Sequence, residues 1–500
     1  MQTLNKQTYP AGRRFDHLPE KIVQFGEGNF LRGFLDWMIQ RMNEQELFLG
    51  RVVAIQPTPH GKVVPKLLAQ DGLYTVALRG FANGEQVDRT EVVAAISRGI
   101  NPYADWLEVL RLAENRQIEF VFSNTTEAGL SYFQEEYAAN RAPLSFPGKL
   151  TAFLFHRFQA TAGDPTAGLK IFPCELLENN GDLLKAIVMQ LAKDWRLPDA
   201  FTEWLQSHNR FFNTLVDRIV IGYPKENSEE YEQRLGYRDE LLTVGEPYHF
   251  FAIEGDETTA AALPFRQAGL NVFWGDVKPF RELKVRILNG AHTMMFAVAY
   301  LSGVDTVLQA MEDQQLRRFI QRGMEQEILP YIALEQAVKT NFARSVEERF
   351  LNPFNRHQLL DLALNAVTKY KLRVLPSLLD AVKTGTLPAV LCFSLAGLML
   401  FYRGIQRDGQ QLVGMREQQP YSIRDQEEVL QFFQNVWSAC QGEKEQVQQL
   451  VRAVLGNESF WGENLLQIAG LEEKVGQYLR QMLHDGMRAA LTRLLEGDGA

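Results

Sequence analysis

The chain of 500 residues is too long for a single hydrophobic core, so two or three domains are expected. A hydrophobic fraction of 46% and a charged fraction of 23% are those of an ordinary globular protein. The net charge of −9 argues against a general binder of nucleic-acid phosphates, although a small anionic substrate still fits a local cationic pocket.

The cysteine usage and the apolar segments favour an intracellular protein. Cys174, Cys392 and Cys440 are far apart and form no metal-binding motif. Neither disulfides nor a metal site is therefore expected, and a reducing cytoplasm is the expected compartment. The N-terminus lacks the apolar core of a signal peptide. The most apolar run, residues 387–402, is too short for a bilayer and precedes Arg403, so we expect a buried helix.

Strand and helix patterns alternate in the first part of the chain. Short β-branched runs that end in polar or glycine turns predict strands at residues 21–26, 51–56, 73–80, 118–124, 169–175, 217–224 and 249–255. Helical stretches lie between several of them, at residues 30–45, 102–115, 147–159 and 182–206. This alternation predicts a mostly parallel sheet covered on both faces, and residues 1–279 are assigned to an α/β domain.

Strand signals end near residue 279. Long helical patterns follow, at residues 280–301, 305–322, 357–371, 388–405, 425–440, 444–455 and 463–496. Pro279 suits the first turn of a helix, so residues 280–500 are expected to form an all-α domain. The Gln-rich, charged segment 406–427 is interpreted as an exposed loop.

The stretch IVQFGEGNFLRGF (residues 22–34) has the pattern of a strand, a glycine turn and a helix. Gly26 suits a tight turn, and Gly28 would let a pyrophosphate approach the backbone at the positive end of the helix. Leu31 occupies the place of the third glycine of a dinucleotide fingerprint, so a purely structural turn is the alternative. The position at the first βα turn favours dinucleotide binding. Arg32 follows, either to meet phosphate or to be solvated.

Two further strand ends bear on cofactor binding. The second strand ends at Gln56, where NAD-binding domains usually carry an acidic residue for the adenosine ribose, so the choice between NAD and NADP stays open. Ser123, Asn124, Thr125 and Thr126 follow another strand, at the edge where parallel sheets bind ligands. These residues either contact the nucleotide or cap a following helix, and the two roles are compatible.

The stretch KVRILNGAH (residues 284–292) carries three polar residues in otherwise apolar helical sequence. On a regular α-helix, Asn289 lies about 140° and His292 about 80° from Lys284, within one arc. Beside a nicotinamide, such a lysine can exchange a proton with an alkoxide, and the asparagine amide can donate to the oxyanion. The histidine can orient the lysine or bind a hydroxyl. Without a nucleotide-binding fold, a snorkelling lysine and a core histidine would be favoured.

The motifs FGEGNFLR, SNTTEAG, CELLENNG, LVDRI and K-x-x-x-x-N-x-x-H together resemble the polyol-specific long-chain dehydrogenases, the mannitol dehydrogenase family. The resemblance spans nearly the whole chain and implies an α/β Rossmann-type N-terminal domain, an all-α C-terminal domain, NAD as cofactor and no metal. It implies that Lys284 is the catalytic acid/base and that His292 orients it. It also implies that Asn289 and Asn180 donate to the oxyanion, although ENNG on its own would be a loop with a helix cap.

The same resemblance implies which residues bind the cofactor. They are those of the two nucleotide motifs: Phe25, Gly26, Gly28, Asn29, Phe30, Arg32, Ser123, Asn124, Thr125, Thr126 and Glu127.

Within the family, QFGEGNFLR, FVFSNTTEAG, LNGAHT and NPFNRHQLL are similar to the branch that acts on a uronate. This similarity implies the interconversion of tagaturonate and altronate, with a small sugar acid as the only partner and neither nucleic acid nor membrane. A uronate brings a carboxylate, so the pocket needs an added cation. We expect Arg356 or His357, together with Lys369, to hold it, whereas Arg373 is equally well explained as part of a solvated helix face.

Two alternatives stay open from the sequence. Another substrate of the same family, namely fructuronate, mannitol or mannitol 1-phosphate, is the nearer one. A catalytically silent nucleotide-binding regulatory protein is the other, and the intact set of polar residues argues against it.

Overall fold

The computed structural model describes residues 1–497, apart from the side chain of Ile405, and divides the chain into two compact units. The first unit comprises residues 1–79 and 86–277. The second begins at Lys278 and also includes residues 80–85.

The first unit contains an alternation of strands and helices. Its strands are β1 (Glu20–Phe25), β2 (Arg51–Ile55), β3 (Tyr74–Ala82), β4 (Glu85–Val93), β5 (Ile96–Ile100), β6 (Phe120–Ser123), β7 (Lys170–Pro173), β8 (Arg210–Phe211), β9 (Thr214–Asp217), β10 (Val220–Gly222), β11 (Thr243–Gly245), β12 (Phe250–Ile253) and β13 (Val272–Trp274). Its helices are α1 (Asn29–Leu31), α2 (Trp37–Glu44), α3 (Val63–Ala69), α4 (Trp106–Glu114), α5 (Phe146–Ala160), α6 (Asn180–Asp194), α7 (Asp199–His208), α8 (Ser228–Leu235) and α9 (Glu257–Ala262). A π-helical turn, Arg32–Asp36, joins α1 to α2.

The central sheet of this unit has six parallel strands in the order β5-β2-β1-β6-β7-β8. Numbered within the sheet, this is the order 3-2-1-4-5-6 of dinucleotide-binding domains, which confirms a parallel sheet. The strands predicted at residues 73–80, 217–224 and 249–255 do not belong to it, and lie in two smaller sheets that contain both parallel and antiparallel pairs. The order reverses between β1 and β6, where Phe25 pairs with Ser123. Ligands bind at such a reversal, outside the carboxyl ends of the strands.

Both faces of the sheet are buried because successive side chains point to opposite sides. Ile22, Phe120 and Phe122 belong to the hydrophobic core on one face. Val23 and Val121 belong to the core on the other face. The continuous apolar runs of β1 and β6 are therefore the sequence signature of a sheet with helices on both sides.

The second unit is largely helical. Its helices are α10 (Lys278–Leu283), α11 (Gly290–Leu301), α12 (Val307–Glu312), α13 (Gln314–Arg322), α14 (Gln336–Phe350), α15 (Leu359–Leu362), α16 (Ala366–Arg373), α17 (Leu375–Lys383), α18 (Ala389–Phe401), α19 (Glu427–Ser438), α20 (Lys444–Leu455), α21 (Glu458–Trp461) and α22 (Leu471–Glu496). Lys284–Asn289 and Gly323–Ile328 are π-helical. Helix α18 contains most of the apolar run 387–402; it is buried and packs against α11 and α22. Within residues 1–497, no helix has both the length and the apolarity needed to cross a membrane.

One part of the second unit is a small sheet, so the expectation of an all-α domain with a loop at residues 406–427 is wrong in detail. Strands β14 (Gly404–Asp408), β15 (Gln411–Arg416) and β16 (Gln419–Ile423) pair in antiparallel fashion. Leu412, Tyr421 and Ile423 are buried under it. Isolated apolar residues that alternate with polar ones are enough for a one-sided sheet, and the high Gln and Arg content concealed that alternation.

We predict that Arg157, on α5, is a major source of stability in the first unit. Its guanidinium is buried and donates to the carbonyl oxygens of Ala167 (2.6 Å), Ala113 (3.0 Å), Asn115 (2.9 Å) and Ile118 (2.9 Å). Arg157→Met removes the side-chain donors from these four carbonyl oxygens, most of which are buried, and this should lower the free energy of unfolding by about 3 kcal/mol or more. Urea denaturation followed by circular dichroism measures the change.

The matched control is Arg116→Met, which removes an exposed arginine whose ion pair with Asp164 lies at the surface. A surface pair contributes about 1 kcal/mol or less. Equal destabilisation by the two variants would contradict the role given to Arg157.

Candidate functional site

The turn after β1 has the shape that a pyrophosphate requires. Gly26 has φ of +123°, and a Cβ there would lie 2.8 Å from the carbonyl oxygen of Asn124, so only glycine fits. A Cβ on Gly28 would meet nothing within 4 Å, so the backbone there is open to a ligand. Helical structure follows at once, from Asn29 to Glu44, with a π-helical turn inside it.

Arg32 braces this turn from within. It is 2% exposed, so the alternative of a solvated arginine is wrong. Its guanidinium donates to the backbone oxygen of Glu27, to Asn29 Oδ1 (2.7 Å) and to Thr243 Oγ1 (3.2 Å). These bonds commit its donors to holding the glycine turn, rather than presenting them at the surface to a phosphate.

Other residues of the first nucleotide motif differ in their exposure. Phe25 is fully buried in the core, and Phe30 stacks on Phe34 with ring centroids 5.0 Å apart. Asn29 and Gly28 are exposed. The surface that this motif offers to a cofactor is therefore the backbone around Gly28 and the side chain of Asn29.

The second nucleotide motif is organised by Glu175, a residue that the sequence reasoning missed. Its buried carboxylate accepts from Ser123 Oγ (3.0 Å), from Thr125 N (2.9 Å) and from Thr125 Oγ1 (3.1 Å). Asn124 Nδ2 donates to the carbonyl oxygen of Cys174 at 2.7 Å. The loops that follow β6 and β7 are thus tied together. The only sequence signal was the acidic residue in CELLENNG.

Helix capping is not the role of this motif. Thr126 and Glu127 are exposed, and Thr126 has φ of +79°. The next helix, α5, begins only at Phe146, and Ser145 Oγ caps it by accepting from Gly148 N at 2.9 Å.

Asn180, which is predicted to donate to an oxyanion, lies among the ends of two strands in this structure. The side chain is fully buried at the start of α6. Its Nδ2 donates to the carbonyl oxygens of Pro173 (2.9 Å) and Glu175 (3.0 Å) and to Thr214 Oγ1 (3.1 Å), while Oδ1 accepts from Thr214 N (2.8 Å). An amide has two N–H donors, and both already have buried acceptors. Asn180 therefore joins strand ends in this structure, and donation to an oxyanion would require it to give up one of these bonds.

In the second unit, the predicted residues Lys284 and Asn289 lie at the two ends of a π-helical turn. Such a turn has i→i+5 hydrogen bonds, so residues five apart lie about one turn from each other. The angle of about 140° expected for a regular α-helix is therefore wrong, and the two side chains are closer in direction than predicted. Both are half-buried, and the Asn289 carboxamide makes no hydrogen bond with residues 1–497.

His292 lies on the first turn of α11, buried between two rings. Its centroid is 4.5 Å from that of Phe350 and 4.9 Å from that of His357. Burial lowers the pKa of His292 well below its ordinary value, and the positive charges of Arg349, Arg373 and others lower it further. The imidazole is therefore neutral, and its buried Nε2 has no hydrogen-bond partner in the described part of the chain. A neutral ring can accept a hydrogen bond from a ligand hydroxyl.

The predicted carboxylate-binding residues separate into two groups. Arg356 is exposed to solvent, whereas the ring of His357 packs on that of His292. Lys369 Nζ donates to the carbonyl oxygen of Leu362 at 3.0 Å, and its pKa is lowered by burial and by the charge of Arg373. His357 and Lys369 are therefore brought to the same place as His292, and Arg356 is not.

We predict that Glu27, between the two glycines, makes stability fall with rising pH. Burial raises its pKa to about 7, although its own backbone N–H and Arg32 act in the opposite direction. The unfolded chain loses this proton near pH 4.5, so between pH 4.5 and 7 the folded state binds more protons. Stability is therefore lost through this window, by about 3 kcal/mol in total. Glu27→Gln should remove that loss, measured by urea denaturation at pH 5 and pH 8.

Glu257→Gln is the control, because the Glu257 side chain is 84% exposed. Identical pH dependence in Glu27→Gln and the wild-type protein would show that Glu27 is ionised in the folded state.

Two family profiles together cover most of the chain. The mannitol dehydrogenase Rossmann domain matches residues 20–267, and the mannitol dehydrogenase C-terminal domain matches residues 276–483. The chain is 51% identical to the altronate oxidoreductase of Halalkalibacterium halodurans, over 96% of this chain and 94% of that protein. It is 42% identical to the altronate oxidoreductase of Klebsiella pneumoniae, over 99% of this chain and 100% of that protein.

Solved structures share the fold. D-sorbitol dehydrogenase in substrate-free form aligns with a TM-score of 0.76 and 21% identity, over 98% of this chain and 100% of that one. Pseudomonas fluorescens mannitol 2-dehydrogenase, a ternary complex with NAD and D-mannitol, aligns with a TM-score of 0.65 and 18% identity, over 99% and 100%. The predicted fold class, a Rossmann domain followed by a helical domain, is confirmed. The chain belongs to the mannitol dehydrogenase family and is an oxidoreductase.

Proposed function

We propose that this protein is an NAD-dependent altronate oxidoreductase, which interconverts tagaturonate and altronate. The observation that carries the proposal is the set of polar residues on one stretch of helix, Lys284, Asn289 and His292, beside several positive charges. The extensive identity to two altronate oxidoreductases supports the choice of substrate.

The first unit fits the dinucleotide. The six-stranded order reverses at β1 and β6, the backbone at Gly28 is open, and Gly26 allows the close approach of the next strand end. We assign the cofactor to the backbone around Gly28, to Asn29 and to the loop Ser123–Glu127. When bound, NADH supplies a hydride. The family resemblance favours NAD over NADP. Gln56, directly after β2, donates to the carbonyl oxygen of Thr58 at 2.7 Å and carries no positive charge for a 2′-phosphate.

The remaining chemistry belongs to the second unit. Reduction of a ketone converts its oxygen to an alkoxide, and the Lys284 ammonium gives that oxygen a proton, so that an alcohol results. In the reverse direction the lysine amine takes the same proton. The free carboxamide N–H groups of Asn289 stabilise the negative oxygen. The neutral His292 accepts a hydrogen bond through Nε2, from a substrate hydroxyl or from the lysine.

Positive charge near His292 explains a preference for an acid. His357 packs against His292, and Lys369 lies near it. The positive charges of Arg349 and Arg373 also lower the pKa of His292. Cations that are partly removed from water are stabilised by an anionic ligand. A carboxylate on the substrate therefore complements this pocket better than the hydroxymethyl group of a neutral polyol.

The substrate assignment is tested by steady-state rates with tagaturonate, fructuronate and fructose, each with NADH and NADPH. We expect the highest kcat/KM for tagaturonate with NADH. A higher value for fructuronate or fructose would replace the proposed substrate by another of the same family, and no turnover of any ketose would favour a nucleotide-binding regulatory protein.

We predict that Lys284→Ala loses turnover but still binds NADH. Removal of a general acid/base should lower kcat by about 100-fold or more, because such groups contribute factors of that size. Fluorescence titration with NADH should give an unchanged Kd. The control is Lys383→Ala, which changes a lysine of the same unit that is 75% exposed. Unchanged kcat in Lys284→Ala would contradict the proposed mechanism.

We predict that replacement of Asn289 lowers turnover, whereas replacement of Asn180 lowers stability. Asn289→Ala should lower kcat by about 100-fold with little effect on unfolding, because its amide has no partner in the described chain. Asn180→Ala should lower the free energy of unfolding by about 2 kcal/mol, because it leaves the buried Thr214 N without its acceptor and removes a donor from the carbonyl oxygens of Pro173 and Glu175. If Asn180→Ala abolished turnover at unchanged stability, Asn180 would be an oxyanion donor after all.

A further inference from the structure

Several basic side chains lie near His292, and they differ in whether a carboxylate interacts with them electrostatically. Arg373 and Lys369 both act on His292. The negative charge of Asp361 raises the pKa of His357, and that of Asp425 raises the pKa of Lys369, against the larger lowering by burial. Burial alone lowers the pKa of Arg373, since no carboxylate acts on it. Arg373 is therefore a member of this cluster whose charge lacks a nearby counterion.

The position of Arg373 is set by close packing against α11. It is the last residue of α16, and a Cβ on Gly290 would lie 3.1 Å from its carbonyl oxygen. Its Nη1 donates to Thr293 Oγ1 at 3.5 Å, and Thr293 Oγ1 donates to the carbonyl oxygen of Asn289 at 2.9 Å. Thr293 lies about 6 Å along the helix axis from Asn289. The guanidinium is thus one helical turn away from the proposed oxyanion donor.

Arg373 differs from other partly buried arginines of this unit. Arg286 pairs with Asp380 at 2.7 Å, Arg416 with Asp305 at 2.8 Å and Arg488 with Asp313 at 2.7 Å. Arg373 is half-buried and makes no ion pair with residues 1–497, and the long bond to Thr293 leaves most of its donors unused. A planar guanidinium with unused donors suits bidentate binding of a carboxylate.

We propose that Arg373 is the residue that selects for an acid, by binding the substrate carboxylate while Asn289 and Lys284 bind the reacting oxygen. In tagaturonate the carboxylate and the ketone lie towards opposite ends of a six-carbon chain, which matches two binding points separated by a helical turn. This inference rests on the proposed function and goes beyond it, because the sequence pattern favours Arg356 or His357 for this role. His357 and Lys369 then border the hydroxyl-bearing middle of the chain.

The test compares an acid with its neutral counterpart, tagaturonate with tagatose, using NADH and three variants. Arg373→Gln should raise the KM for tagaturonate by about 10- to 100-fold, the effect of removing a charged hydrogen bond. It should leave kcat/KM for tagatose within about twofold. Arg373→Lys keeps the charge without the planar geometry and should lie between Arg373→Gln and the wild type. Lys371→Gln, the matched control on the same helix, should leave both substrates unaffected.

Several outcomes would overturn the inference. An equal loss with tagaturonate and tagatose would show that Arg373 only shapes the site, and an equal effect of Lys371→Gln would show that general electrostatics are responsible. An unchanged urea-denaturation midpoint establishes that Arg373→Gln is folded. If Arg373→Gln does not fold, Arg373→Lys is compared with the wild type on the same two substrates. If the wild-type enzyme does not reduce tagaturonate, the proposed function is wrong. The inference is then tested with fructuronate and fructose.

Discussion

The interruption of one helix by a π-helical turn is the constraint on which the proposed chemistry depends. The turn Lys284–Asn289 separates α10 from α11, and its wide spacing brings residues five apart to about one turn from each other. Regular α-helix resumes at Gly290, so His292 and Thr293 follow Asn289 at spacings of three and four residues, on its own side. One continuous segment thereby carries Lys284, Asn289 and His292, to which the proposal gives the roles of acid/base, amide donor and hydrogen-bond acceptor.

The buried and half-buried arginines differ in how many of their N–H groups are hydrogen-bonded within the protein, and this difference separates a structural role from a proposed binding role. Arg157 and Arg32 are surrounded by backbone oxygens, and Arg286 by Asp380 and a hydroxyl. Each of these guanidinium groups has most of its donors bonded within the protein, so it stabilises the fold. Arg373 has only a long bond to Thr293. A cation left in this state gains most from an anionic ligand, and this difference is the basis of the proposed preference for a sugar acid.

The architecture of the first unit could be predicted from the sequence, because long apolar runs that end in a glycine turn are compatible with few folds. The strand order and the place of its reversal were not predicted, because they depend on which strands pair across the sheet. The sheet at Gly404–Ile423 was missed, because its buried residues are single and its polar residues dominate the composition.

The details of the site were harder to predict, for physical reasons. A motif identifies Asn180 but does not tell whether its two N–H groups are already used by Pro173 and Glu175. The exposure of Arg356 and the proximity of Arg373 to Thr293 depend on how a loop and a helix end pack, which has no local sequence signal. The π-helical turn likewise depends on tertiary packing, and the regular 100° rotation of an α-helix therefore misplaced Asn289.

The roles given to Lys284, Asn289 and Asn180 are open to direct observation in a crystal structure of the complex with NAD and altronate. We expect the reacting hydroxyl to lie within hydrogen-bond distance of Lys284 Nζ and Asn289 Nδ2. We also expect Asn180 to keep its bonds to Pro173 and Glu175. A complex in which Asn180 turns towards the hydroxyl, or in which Lys284 and Asn289 do not contact it, would contradict the proposed mechanism.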